Sequence, residues 1–416
     1  PSFPNSTMIV RPLSLTKGPE SPSSPPFPFL SNSATILHAT QQQEEDVFLS
    51  TSSISRPPPT ILSSATEDAF FRQPLSVLTF AIGISIGLSI VAAIAVLKLV
   101  SSGEEEPSDN SSNRSLEKGG SRTALLALYA RSQAFQCGYG PDQLAPIFLD
   151  QLLTSGQAVA LQGCGFLSRL NYRLTHRIFE DQVAGLATLG NTGLVAPMQA
   201  RTGWFDDCVQ AFVELQHSNA NVVILGSGFD SRCYRLVNHT TSIRTYEVDA
   251  PGTQSTKKQV LKDTHMDASR TVFVACDFET EDWFQCLVDS GLEASLPTLV
   301  VWEGVTMYLS RATVVETLQR VSHQLSWYIA FDYLDQSWAN SGIWRTAMKR
   351  VGEPFQFAMN GSNREPEELL QSCGLQVVEH WHSGDTGPLE ERYLPVRAGD
   401  QPVGFLGNYG GFVLAA

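Results

Sequence analysis

The chain has 416 residues, with 42 acidic against 28 basic side chains and a formal charge of −14 at neutral pH. About −13 of that charge falls after residue 100, so this part of the chain repels phosphate backbones and broad nucleic-acid binding is excluded. Seven cysteines, at 137, 164, 208, 233, 276, 286 and 373, are odd in number and form no CxxC pair. That pattern argues against a disulfide framework or a zinc site, and for a reducing compartment.

Residues 1–74 read as a disordered segment, because 25 of the first 66 residues are Ser or Pro and no apolar period runs long enough for a helix or sheet. The chain opens at Pro1 without a Met, which leaves room for residues before it. Next comes LSVLTFAIGISIGLSIVAAIAVL, residues 75–97, which is 23 uncharged residues between Arg72 and Lys98. As a helix it spans roughly 34 Å, enough to cross a hydrocarbon core of about 30 Å, so a single transmembrane anchor is expected. Gly83 and Gly87 add a GxxxG, a weak signal for helix pairing. Basic residues at the two ends nearly balance and leave the topology open. A linker at 98–120 leads into one domain at 121–416, which holds all seven tryptophans.

Within that domain, 122–215 is mostly helical in pattern, with Leu125, Leu126, Leu128, Ile147, Phe148 and Leu152 as apolar positions. It is expected to cap a sheet. From Asn221 onward, short β-rich runs alternate with amphipathic stretches. Candidate strands are 221–225, 241–248, 271–275, 298–302, 327–333, 375–381 and 410–416. Ser310 opens a helix with Val314, Val315, Leu318 and Val321 on one face. A second helix is placed at 365–373, preceded by Ser362 and Asn363 and stopped by Gly374. Strands alternating with helices imply a doubly wound α/β domain with right-handed crossovers.

The first strand runs into Gly226-Ser227-Gly228. Glycines there let the backbone turn sharply and approach a ligand, and in open α/β sheets ligands bind at the carboxyl ends of strands. A dinucleotide fingerprint would place a third glycine at 231, where this chain has Ser231, so a nicotinamide cofactor is disfavoured. The second strand ends in Tyr246-Glu247-Val248-Asp249, whose Asp249 can accept both hydroxyls of a ribose. After the third strand comes Cys276-Asp277-Phe278, in which Asp277 can accept an adenine amino group while Phe278 packs on the ring.

The runs VVILGSGFDSRCYRL, YEVDAPGTQSTKK and WEGVTMYL (302–309) resemble the leucine carboxyl methyltransferase family, and within it the bacterial-type members. The resemblance covers about residues 120–416. It implies a seven-stranded methyltransferase sheet, mostly parallel with the last strand antiparallel, and S-adenosylmethionine as methyl donor. It places Arg201 on the donor's carboxylate, Gly226 and Gly228 along the donor, Asp249 at ribose, Asp277 and Phe278 at adenine, and Glu303 at the methionine end. Asp230 and Arg235 also match and read equally as a pair that holds the glycine loop. His176, His265, His380 and His382 match no motif and read as structural or surface residues. No metal is expected.

Methyl transfer from a sulfonium is an in-line displacement, so catalysis can come largely from positioning. A carboxylate acceptor is already ionised at neutral pH, whereas an alcohol or phenol needs a base. With no His–Asp pair near the motifs, the expected acceptor is a carboxylate, either on a protein C-terminal leucine or on a small acid. Methylation of a hydroxyl on a lipophilic metabolite is the alternative, and Tyr308, just past the fourth strand, reads equally as a residue that orients the acceptor by a hydrogen bond or as a core tyrosine. Intact donor residues argue against a third reading, a tethered module without turnover. The thiols and the donor together put the domain on a cytosolic or stromal side of the membrane.

Overall fold

A computed structural model describes residues 121–136, 140–153, 192–216, 218–237, 242–278, 280–341, 345–346, 348–349, 352–382, 386–393 and 409–416. The expected disordered segment, the anchor at 75–97, the linker, and part of the expected cap (154–191) lie outside these residues. Among the described residues no helix is long and apolar enough to cross a membrane.

Seven strands form one sheet: β1 Ala220–Leu225, β2 Ile243–Asp249, β3 Thr271–Ala275, β4 Thr298–Trp302, β5 Trp327–Leu334, β6 Val377–His382 and β7 Gly410–Ala415. Their spatial order is β3-β2-β1-β4-β5-β7-β6. The pairs from β3 through β5 are parallel, and β7 runs antiparallel to both β5 and β6. Each strand therefore lies within two residues of its expected position. The reason is visible in β1, ANVVIL, which is buried at all six positions, so the apolar run Val222–Leu225, ended by Gly226, marks the strand's limit.

Side chains alternate between two cores. Val222, Ile224, Leu299 and Val301 face one side, where they meet α1 (Arg122–Gln136), α2 (Ala145–Leu152), α3 (Thr192–Leu215) and α4 (Pro251–Asp263). Val223, Leu225, Val300 and Trp302 face the other, against α5 (Trp283–Asp289), α6 (Arg311–Ser322) and, beyond the short α7 (Gln336–Ala339), α8 (Glu365–Ser372). This is the two-faced packing of a doubly wound sheet. A last helix, α9 (Thr386–Tyr393), returns to the first face through Leu389 and Tyr393.

The expected helix signals mostly hold. Ser310 caps α6 by accepting from the Thr313 N–H at 3.1 Å, and Val314, Leu318 and Val321 are fully buried beneath it. α8 also lies where expected, after Ser362 and Asn363 and before Gly374; those two residues form a short 3-10 turn, and Arg364, left-handed at φ 67°, takes the position directly before the helix. In the cap, Leu125, Leu128 and Phe148 are buried as expected, but Ile147 is 43% exposed.

Candidate active site

β1 and β4 are neighbours although β2 and β3 follow β1 in sequence, so the crevice at their carboxyl ends is the topological switch point of the sheet. A cavity of about 500 Å³ opens there. Arg201, Gly226, Gly228, Asp249, Asp277, Phe278, Glu303 and Tyr308, the residues singled out from the sequence, all line it. Histidines 265, 380 and 382 do not; His380 bonds Tyr333 at 2.9 Å and Glu367 at 2.7 Å, and His382 faces Asp335 at 3.4 Å. His176 is outside the described residues.

The glycine loop needs its glycines. Gly226 sits at φ 66°, and a Cβ there would fall on the Val305 side chain. Its N–H and that of Ser227 both donate to the Val248 carbonyl, at 2.8 and 3.0 Å, so the loop is folded back on the end of β2. Asp249 completes the turn: its carboxylate accepts the Gly228 N–H at 2.5 Å and the Ala250 N–H at 2.7 Å. Burial nevertheless pushes Asp249 above the usual carboxylate range, against those two hydrogen bonds. Neighbouring motif residues pack behind the loop. Lys257 and Glu247 form a fully buried ion pair at 2.7 Å, and the Tyr234 hydroxyl donates to the same carboxylate at 2.9 Å.

Arg201 and Glu303 meet directly. Arg201, on α3, donates from Nε to Glu303 Oε1 at 2.9 Å and from an Nη to Asp332 Oδ2 at 3.3 Å. The other oxygen of Glu303 accepts from Arg232, which also binds Asp230, Asp206 and the Thr202 carbonyl. Here the expected pairing is corrected. Asp230 pairs with Arg232 rather than Arg235, and Arg235 instead forks onto Asp206 at 2.6 and 2.7 Å. A guanidinium two residues along is closer in space than one five along, because the backbone turns between them. Burial opposes ionisation of Asp230 and Glu303, but the surrounding guanidinium groups win and hold both below their ordinary values.

Sequence reasoning missed Asp332. Its Oδ1 accepts the Gly304 N–H at 2.6 Å, and burial pushes it up to about 6 against Arg201 and that bond. The available signal was a lone carboxylate inside the apolar strand WYIAFDYL. Also missed were Thr123 and Glu353, hydrogen-bonded to each other at the cavity edge, and Tyr409 before β7. Tyr308 is half-buried, and desolvation pushes its phenol up to about 12.

The cavity lining contains six carboxylates (Asp230, Asp249, Asp277, Glu303, Asp332 and Glu353) and two guanidinium groups (Arg131 and Arg201). The excess of acid suits a ligand with net positive charge. The α/β sheet, its order and the ligand crevice at its switch point are those of the methyltransferase fold. A model of the leucine carboxyl methyltransferase family matches residues 154–322. YktD of Bacillus subtilis, named as an S-adenosyl-L-methionine-dependent methyltransferase, is 30% identical over 285 residues, 65% of this chain and 90% of YktD. A similarly named protein of Mycobacteroides abscessus is 28% identical over 196 residues, 44% of this chain and 63% of the relative. Among solved structures, the magnesium protoporphyrin IX methyltransferase of Synechocystis with bound SAH is similar at a TM-score of 0.35 and 11% identity, covering 60% of this chain and 93% of that one.

The chain belongs to the leucine carboxyl methyltransferase family, and it is a methyltransferase that uses S-adenosylmethionine. A net-negative cavity with a glycine loop that a Cβ would block fits this cationic donor.

Proposed function

We propose that the chain transfers the methyl group to an oxygen acceptor, and that the acceptor is a carboxylate on a protein C-terminus or a small acid. Arg201 and Glu303 are assigned to the methionine end of the donor, Gly226 and Gly228 to its length, Asp249 to the ribose, and Asp277 with Phe278 to the adenine. When bound, the donor supplies a sulfonium-activated methyl carbon. The protein's part is to hold an oxygen in line with it and to exclude water.

One observation carries the carboxylate reading: among the described residues lining the cavity there is no histidine or lysine to serve as a base. A carboxylate needs none. Tyr308, whose hydroxyl is protonated at neutral pH, is assigned to orient the acceptor by donating a hydrogen bond. A second reading, methylation of a hydroxyl on a lipophilic metabolite, is favoured by Asp332, a carboxyl group raised to about 6 in the cavity wall and therefore a candidate base. The apolar run at 75–97 supports a membrane tether for either reaction, with domain boundaries at 74, 97 and 120 and the catalytic part on the cytosolic or stromal side.

The experiment is transfer of labelled methyl groups from S-adenosylmethionine by the full chain in cell extract, followed by mild base. A carboxyl methyl ester releases its label as volatile methanol. Label that stays bound through this treatment would exclude the carboxylate and leave the hydroxyl reading.

A further inference from the structure

The cavity wall holds a polar group that the proposed donor contacts leave unused. Tyr409, immediately before β7, lines the cavity with Arg201, Glu303 and Asp332, and its hydroxyl is buried without a hydrogen-bond partner among the described residues. The residue is fixed in place. Its carbonyl accepts the Asp335 N–H at 2.8 Å, and its ring packs against Phe412 with centroids 6.0 Å apart. A buried hydroxyl held rigidly and unsatisfied is costly, so its retention at a ligand cavity points to an acceptor brought in by the ligand.

The neighbours say which part of the ligand that is. On Arg201, Nε and one Nη already serve Glu303 and Asp332, so the guanidinium is anchored by two carboxylates and presents its remaining edge. The wall around it is acidic, with Glu303 and Asp332 suited to an ammonium group. A neutral hydroxyl donor adds a bond to a ligand carboxylate without a further charge. An α-amino acid group, with ammonium and carboxylate on adjacent carbons, is the chemistry this corner fits.

We propose that the Tyr409 hydroxyl is a binding residue for the methyl donor, donating a hydrogen bond to the carboxylate of its methionine moiety beside Arg201. This rests on the assignment of Arg201 to that carboxylate. Its strength reflects the charge on the acceptor, since hydrogen bonds to ionised groups are stronger than neutral ones.

The test compares two ligands in the full chain by calorimetry: S-adenosylhomocysteine, which carries the amino-acid end, and 5′-methylthioadenosine, which lacks it. Tyr409→Phe removes only the hydroxyl. The expected result is a loss of roughly tenfold in affinity for S-adenosylhomocysteine, with 5′-methylthioadenosine bound as by wild type. Unchanged affinity for S-adenosylhomocysteine would overturn the proposal. So would an equal loss for both ligands, which marks a structural effect of the ring. Failure of the wild-type chain to bind S-adenosylhomocysteine would instead strike at the donor site as a whole.

Discussion

Arg201 Nε and Glu303 Oε1 lie 2.9 Å apart, tying the helix before the first strand to the end of the fourth. The two residues were assigned separately to the donor, yet before any donor arrives each is the other's counterion. The proposed donor site is therefore also a structural joint, and its variants should affect stability as well as binding.

Glu303→Gln tests this joint. The variant leaves Arg201 and Arg232 with Asp332, Asp230 and Asp206 as counterions but removes the carboxylate that bridges them. Breaking a buried charge network costs about 3 kcal/mol. Chemical denaturation should show a loss of that order, and calorimetry should show weakened S-adenosylhomocysteine binding. Wild-type stability would mean that the network contributes little.

Asp332 makes stability depend on pH in a definite direction. Burial raises its carboxyl from 3.8 to about 6, so the folded chain holds a proton that the unfolded chain has lost between those values. The contribution is fully present below about pH 4 and disappears as pH rises through about 6. Asp230 and Glu303, held below their ordinary values, act oppositely: their stabilisation is lost as pH falls. Subtracting the Asp332→Asn curve from wild type isolates the first effect, which should fall by up to about 3 kcal/mol across that window. A flat difference curve would remove the assignment.

Gly226→Ala probes the loop. Its φ of 66° costs a residue with a side chain about 1–2 kcal/mol, and the new Cβ meets Val305 as well. The melting temperature should drop, and S-adenosylhomocysteine binding should fall below detection. Binding at wild-type affinity would show that the donor does not follow this loop.

Lys257→Ala leaves Glu247 buried without its ammonium partner, at positions where both side chains are fully inaccessible. Stability should fall by about 3–5 kcal/mol, while Lys257→Ala combined with Glu247→Gln should recover part of it. A double variant as unstable as the single one would show that the unpaired charge is not the cause.

The sequence made the sheet readable because strands such as β1, β4 and β5 carry apolar runs followed by a glycine or an acid (Gly226, Glu303 and Asp335). It made most of the proposed donor residues readable because Gly226, Gly228, Asp249, Asp277, Phe278 and Glu303 fall in short motifs after strand ends, with Arg201 alone on a helix. Other features depend on contacts between distant segments. Asp332 is one carboxylate in an apolar strand, and only the approach of Arg201, 131 residues away in sequence, gives it a partner. Arg232 lies inside a recognised motif, but its position among Asp206, Asp230 and Glu303 depends on how α3 crosses the sheet. Tyr409 follows no motif at all; its proximity to the cavity comes from β7 inserting between β5 and β6.

The most direct measurement is titration of S-adenosylhomocysteine into the full chain, wild type beside Asp249→Ala. Asp249 holds the Gly228 N–H and lines the same cavity as Arg201 and Glu303. The expected result is one saturable site per chain in wild type and at least a tenfold loss in the variant. No binding to wild type, or equal binding to both, would contradict the assignment of this cavity to the methyl donor.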